Sequence, residues 1–249
     1  MYSLTGKTAL VTGAGVRLGR AISEALAASG CRMILHCNTS RQGTDELANR
    51  ICSSGGEAKV LRADLSKSGA GKKLARKADA LFNGVDILVN NAAIFWPTSL
   101  EHLNESELDT FYAVNLRAPF SLASELGRAM KHRSEAGREG CAILNIACLS
   151  GLRAWKTHIP YSISKAGVVS LTQGLAKLLA PGVRVNAIAP GSVLPPENAS
   201  LSETQALLAK IPLKKIGTPN DVVETALYAL TAPFVTGQIL CVDGGRCLV

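Results

Sequence analysis

The stretch "TALVTGAGVRLGRAISEAL", residues 8–26, joins an aliphatic run, a glycine turn and an amphipathic segment. Thr8 to Thr12 read as a buried strand, and the segment near 18–29 as a helix. Gly13, Gly15 and Gly19 lie between and mark a phosphate-sized loop. Small residues let the backbone come close to an anion, and a helix N-terminus supplies unpaired N–H groups and partial positive charge. The spacing is Gly-x-Gly-x-x-x-Gly, and Arg17 stands where the commoner loop has a glycine. A cation in the first helical turn opposes the helix dipole by roughly 0.3–1 kcal/mol. That cost points to a nearby anion; an arginine directed into solvent is the alternative.

The same strand–helix alternation recurs along the chain. Further aliphatic runs lie at 32–37, 58–63, 86–90, 141–146, 183–188 and 238–242, with helical patterns near 42–53, 67–82, 105–132, 161–179 and 219–231. Nearly continuous apolar strands alternating with helices predict an α/β fold, a doubly wound parallel sheet covered on both faces. No Pro/Gly/Ser linker divides the chain, so residues 1–249 are expected to form one domain. The segment 192–212, "SVLPPENASLSETQALLAKIP", breaks the pattern and predicts a loop followed by a short helix, a candidate lid.

A content of 47% hydrophobic and 18% charged residues supplies a large core, built from aliphatic side chains because aromatics are only 4%. No apolar run approaches the ~20 residues of a membrane span. The first residues lack a secretory signal layout, so a cytoplasmic protein is expected. Seven cysteines without a CxxC pair predict reduced thiols and no metal site, with Cys31, Cys141 and Cys241 as core residues of strand-like runs. The net charge of +8 is scattered over helix faces without interleaved aromatics. That argues against nucleic acid and suits an anionic small-molecule substrate and cofactor.

The end of the second strand bears on which cofactor. "LHCNTSRQGTDEL", 35–47, has no acid before Asp45, where an acid would hold a free ribose 2′-hydroxyl. His36, Asn38, Thr39, Ser40 and Arg41 offer donors that suit a 2′-phosphate, hence NADPH. "YSISK", 161–165, places Tyr161 and Lys165 one turn apart on a single helix face. A phenol with an ordinary pKa of about 10 is drawn toward neutral exchange by a neighbouring ammonium.

With the phosphate loop, "ADL" 63–65, "NNAA" 90–93, "VN" 114–115, "NIAC" 145–148, "YSISK" 161–165, "RVNAIAPG" 184–191 and "VTGQILCVDGG" 235–245, the whole chain resembles the short-chain dehydrogenase/reductase family. The resemblance implies a Rossmann-type sheet of seven strands in the order 3-2-1-4-5-6-7 and hydride transfer to a carbonyl or imine-type carbon. It implies Tyr161 as general acid, Lys165 on the ribose, and Asn115 ordering a proton-relay water. Gly13, Gly15, Arg17, Leu18 and Gly19 would meet the phosphates. Asp64 and Leu65 would meet the adenine, Asn91, Ala92 and Ala93 would line the cofactor, and Pro190, Gly191, Ser192 and Val193 would face the nicotinamide. A homotetramer through the helices near 105–132 and 161–179 and the last strand is implied too.

The chain departs from the family at Cys148, where a serine usually bonds the substrate carbonyl; a thiol is a weaker donor. Ser150 is out of register to replace it. Arg17 is the second departure, and "TGxxxRxG" resembles the pteridine reductase and dihydromonapterin reductase branch. "LHCNTS" is similar to the 2′-phosphate segment of that branch. "NNAAIFWPTSL", 90–100, is similar to its substrate segment, which puts Phe95 or Trp96 against the substrate. The branch commonly has an aspartate at the Cys148 position and a serine at the Ala93 position, so two pterin-bonding groups are missing. The expectation is an NADPH-dependent reductase with a pteridine as the leading substrate. A 3-oxoacyl-carrier-protein reductase is the alternative, and an NADPH-binding sensor or scaffold is an alternative of another class.

Overall fold

Seven strands, β1 (Thr8–Thr12), β2 (Arg32–Cys37), β3 (Ala58–Arg62), β4 (Ile87–Asn90), β5 (Ala142–Ile146), β6 (Arg184–Pro190) and β7 (Ile239–Val242), pair in parallel in the order β3-β2-β1-β4-β5-β6-β7. The computed structural model describes residues 1–193 and 200–249. Alternate residues of the strands feed two cores. Val11, Leu35, Val89 and Leu144 pack under α1 (Arg17–Ala28), α2 (Arg41–Ser53) and α8 (Pro219–Thr231). Leu10, Ile34, Leu88, Ile143 and Val185 pack under α3 (Ala70–Asp79), α5 (Ala118–Glu135) and α6 (Ile159–Leu179). Both faces of the central strands are therefore buried, the edge strands β3 and β7 less so, and the sheet's functional groups gather at the carboxyl ends of the strands.

Three helical expectations need correction. The run 67–82 is helical only over α3, because Gly69 starts it from a left-handed φ of +75° and Phe82 and Asn83 leave it at +51° and +63°. The run 105–132 is not continuous. It divides into α4 (Glu105–Tyr112), a π-helical turn at Ala113–Arg117, and α5. Within 192–212 the short helix forms as α7 (Leu201–Ala209), started by a capping box between Ser200 and Glu203, while 194–199 lie outside the described residues. Cys31 and Cys141 are buried, but Cys241 is exposed because β7 is the edge strand. Among the described residues no helix is long and apolar enough to cross a membrane.

Below the sheet, Asp86 is wholly buried and closes a junction of three segments. Its Oδ2 accepts from the Thr8 N–H at 2.8 Å, and Arg138 Nε and Nη2 donate to its two oxygens at 2.5 and 2.7 Å. The carboxylate in turn raises the Arg138 pKa. Removing one partner of such a pair strands the other, so Asp86→Ala is expected to cost about 3–5 kcal/mol. Urea unfolding of the two proteins measures it.

Candidate active site

The carboxyl ends of β1, β2 and β4 enclose a cavity of about 640 Å³. Its wall contains Gly13, Arg17, Leu18 and Gly19 from the first loop, and His36, Asn38, Thr39 and Ser40 from the end of β2. Asp64 and Leu65 come from the end of β3. Asn91, Ala92, Ala93 and Phe95 follow β4, and Tyr161 comes from α6. Val16, Ser66, Ile94 and Val114 also line it, without a chemical signature in sequence.

The glycines act through packing as well as access. A Cβ on Gly19 would stand 2.1 Å from the Gly13 carbonyl oxygen, and one on Gly15 would stand 2.2 Å from Thr44 Oγ1. Gly15 therefore seats the loop on α2 and is absent from the cavity wall. Arg17 takes φ +50°, a left-handed conformation that favours glycine, and it is exposed. Among the described residues its guanidinium has no hydrogen-bond or ion-pair partner.

At the end of β2 two expectations change. The His36 ring is buried: Nδ1 accepts from the Gly13 N–H at 3.3 Å and Nε2 donates to the Ala63 carbonyl at 3.1 Å. His36 holds the turn with both ring nitrogens while also lining the cavity. Arg41 pairs with Asp45 at 3.2 Å and is absent from the wall. The donors that face the cavity are on Asn38, Thr39 and Ser40, and Ser40 caps α2 without a side-chain cap bond. Arg62, which the sequence did not single out, donates to the Asn38 carbonyl at 3.1 Å and brings a cation to the same corner. Asp64 is the one carboxylate on the wall among the described residues. Two hydrogen bonds from Ser66 hold it below the usual carboxylate range.

The reacting corner lies where α6 meets β5. Pro160 occupies the first turn of α6, and Tyr161 follows it onto the cavity wall. Lys165, one turn on, is buried, and Nζ donates to the Ile146 carbonyl at 2.7 Å. Burial pulls its pKa down to about 8. The ammonium is 5.7 Å from the Tyr161 ring centroid. Tyr161 is pushed up, not down: burial is the main cause, and the neighbouring Cys148 thiol, which hydrogen-bonds with the phenol, adds to it. Cys148 Sγ also accepts from the Ser150 N–H at 3.5 Å. The Ser150 hydroxyl is buried without a partner and does not line the cavity, so it does not stand in for the missing serine.

Asn115 sits in the π-helical turn, where Oδ1 accepts from the Ile94 N–H at 2.9 Å and Nδ2 donates to the Ile94 carbonyl at 3.0 Å and to Ser164 Oγ at 3.2 Å. Phe95 is 55% exposed, stacks on His158 at 4.7 Å and meets Tyr161 edge-on at 4.8 Å. Trp96 instead tilts against Phe111 and donates to Glu107 Oε1 at 2.5 Å. Trp155 completes the aromatic corner at 6.4 Å from Phe95; the sequence signal for it, an aromatic just ahead of "YSISK", is weak. Ser192 and Val193 line a separate cavity of about 380 Å³ near Gly244, and Gly191 packs against Asp243, so the structure does not bring this segment to the main wall. Among the described residues no group of three His, Cys, Asp or Glu side chains is placed to hold a metal.

A family model described as enoyl-(acyl carrier protein) reductase matches residues 13–246. The chain belongs to the short-chain dehydrogenase/reductase family. Among its relatives, a nodulation protein G from Rhizobium sp. (strain N33) is 35% identical over 100% of both chains. A 3-oxoacyl-[acyl-carrier-protein] reductase from Synechocystis sp. is 33% identical over 98% of each. The solved structure of FolM alternative dihydrofolate reductase 1 from Brucella canis, complexed with NADP, superposes with a TM-score of 0.89 at 32% identity, covering 99% of this chain and 96% of that one.

The buried His36 gives the site a pH dependence. Burial lowers its pKa below the ordinary 6.5, so the folded state keeps the ring neutral while the unfolded chain takes up a proton. This contribution is complete above pH 6.5 and declines as pH falls below it. Chemical unfolding at pH 7.5 and 5.5 is expected to show a smaller loss of stability in His36→Gln than in the parent protein.

Proposed function

We propose that the protein is an NADPH-dependent reductase of a flat carbonyl or imine-type substrate, with a pteridine as the leading candidate. The observation that carries this is one wall on which the Arg17–Gly19 helix start, the Asn38–Ser40 strand end and the Tyr161 ring face the same cavity. The residues fit the cofactor. The helix start and Arg17 suit a pyrophosphate, and Asn38, Thr39 and Ser40 suit a 2′-phosphate with no carboxylate among them. NADPH bound there supplies the hydride. Tyr161, protonated by burial, donates a proton to the oxygen or nitrogen of the reduced bond. Lys165 is placed behind it to hold ribose hydroxyls, and the π-turn at Asn115 to order the relay that returns a proton. Cys148 packs beside Tyr161 behind the cavity wall, and Tyr161 is left as the main polarising group.

Phe95 supports a flat substrate, since its exposed ring borders the Tyr161 phenol, and the FolM likeness agrees. The Synechocystis relative favours a 3-oxoacyl-carrier-protein substrate as the second reading. One domain over 1–249 and a cytoplasmic homotetramer complete the proposal. Tyr112, Phe120, Ile163 and Leu178 are large apolar side chains exposed on α4, α5 and α6, the helices expected to associate.

NADPH oxidation against dihydropterin, quinonoid pterin, diketone and 3-oxoacyl thioester substrates is the test. Turnover of the pterins, lowered by about 10²–10⁴ in Tyr161→Phe, is the expected result. Tight NADPH binding without turnover of any member overturns the reductase reading and leaves a sensor. For Arg17→Gly, release of about 1–2 kcal/mol of left-handed backbone cost should raise the melting temperature by a few degrees. The same change should weaken NADPH or substrate binding about tenfold, read by titration calorimetry and KM.

A further inference from the structure

Behind Trp155 lies a second cavity, of about 790 Å³, that the reductase reading does not use. Arg153, Lys210, Lys214 and Arg246 line it, with no carboxylate side chain among its described lining residues. The nearby Asp243 is engaged elsewhere: it accepts from the Gly245 and Cys247 N–H groups at 2.9 and 2.6 Å. Against these four cations stands the Val249 carboxyl end, bonded to Arg153, so the concavity keeps a net positive charge that an anion drawn into it relieves.

The groove is built. Arg246 lies 5.6 Å over the Trp155 ring, and its Nη1 donates to Ser192 Oγ at 2.8 Å. Arg153 Nη1 donates to the Cys247 carbonyl at 3.0 Å and to the terminal oxygen of Val249 at 2.5 Å. Lys214 takes φ +52°, the second cation of this chain held in a conformation that favours glycine, and Nζ donates to the Ala209 carbonyl at 2.9 Å. The Lys210 ammonium has no hydrogen-bond partner among the described residues. The groove also adjoins the reacting corner. Trp155, whose face meets Arg246, meets Phe95 at 6.4 Å and His158 at 5.7 Å, and it packs beside Cys148 and Tyr161. A single indole therefore separates the cationic wall from the place where Tyr161 works.

We propose that this groove holds an anionic arm of the substrate, a phosphate or carboxylate carried several bonds from the reacting carbon. The proposal rests on the reductase reading for the head of the substrate and adds its tail. Arg153 already meets the Val249 carboxyl end, and a neutral head alone would leave the other three cations without an anion to meet.

The test compares two pairs at saturating NADPH, each pair sharing a head: acetoacetyl-coenzyme A with acetoacetyl-N-acetylcysteamine, and dihydrofolate with dihydrobiopterin. The first pair adds a phosphate-bearing arm, the second a carboxylate-bearing arm, and the double substitution separates the charge from the rest of each arm. In whichever pair is turned over, the anionic member is expected to have a KM at least tenfold lower. That ratio should collapse toward one in Lys210→Ala/Lys214→Gly, with kcat for the anionic member within twofold; glycine suits the backbone at 214. Equal KM values within the pair, or a ratio unmoved by the double substitution, overturn the groove and leave the reductase reading standing. If no member is turned over, titration calorimetry of the protein with NADP+, using folic acid and biopterin, decides the groove alone. Preference for folic acid that the double substitution removes supports it. Equal binding or none overturns it.

Discussion

At the carboxyl ends of β1 and β4 the chain leaves for opposite faces of the sheet, and Thr12 and Asn91 tie the two ends together. Thr12 Oγ1 accepts from the N–H groups of Asn91 and Ala92 at 2.9 and 3.0 Å, and Asn91 Nδ2 donates to the Thr12 and Gly13 carbonyls at 2.8 and 3.2 Å. A parallel sheet opens a crevice where successive connections diverge. Here four hydrogen bonds between buried or half-buried groups hold the rims of that crevice. Gly13 receives its position from Asn91 on one side and from the His36 ring on the other. The helix start, and Arg17 with it, follows from where Gly13 is held.

A second polar chain sets the other half of the site. Asn90 Nδ2 donates to Asn145 Oδ1 at 2.9 Å, and Asn145 Nδ2 donates to Thr172 Oγ1 at 2.9 Å. This links β4, β5 and α6 through the interior, where such bonds are strong and leaving one unmade is costly. Thr172 lies two turns beyond Lys165, so fixing it fixes the depth at which α6 presents Lys165 and Tyr161. The depth has a chemical consequence. The same burial that positions the pair pulls the lysine down to about 8 and pushes the phenol up.

The fold was legible because burial on both faces leaves an unambiguous mark: seven aliphatic runs, each within a residue or two of its strand. The cradle was legible for a similar reason, since glycines and "NNAA" must sit where backbone approaches backbone. What escaped depends on partners distant in sequence. His36 offered donors to any reader of "LHCNTS", but Gly13 and Ala63 occupy both its nitrogens. Arg41 offered a cation to the same segment, and here it pairs with Asp45 one turn on. The π-turn at Asn115 has no local signature, because what stabilises it is the Ile94 backbone across the pocket. Cys241 sits in a run as apolar as any other, and only the sheet order makes it an edge residue.

The two departures, Arg17 and Cys148, bear on one another. Arg17 holds a left-handed φ at a backbone cost a glycine would avoid, which is how strain is distributed when a side chain is needed at a site. Its side chain brings a positive charge to the wall of the cavity. At the other end Cys148 provides a weaker hydrogen bond than a serine, and it raises the phenol it touches instead of sharing the substrate oxygen with it. A phenol held this way keeps its proton throughout the neutral range. Burial is the larger cause of that shift, and the cysteine adds to it.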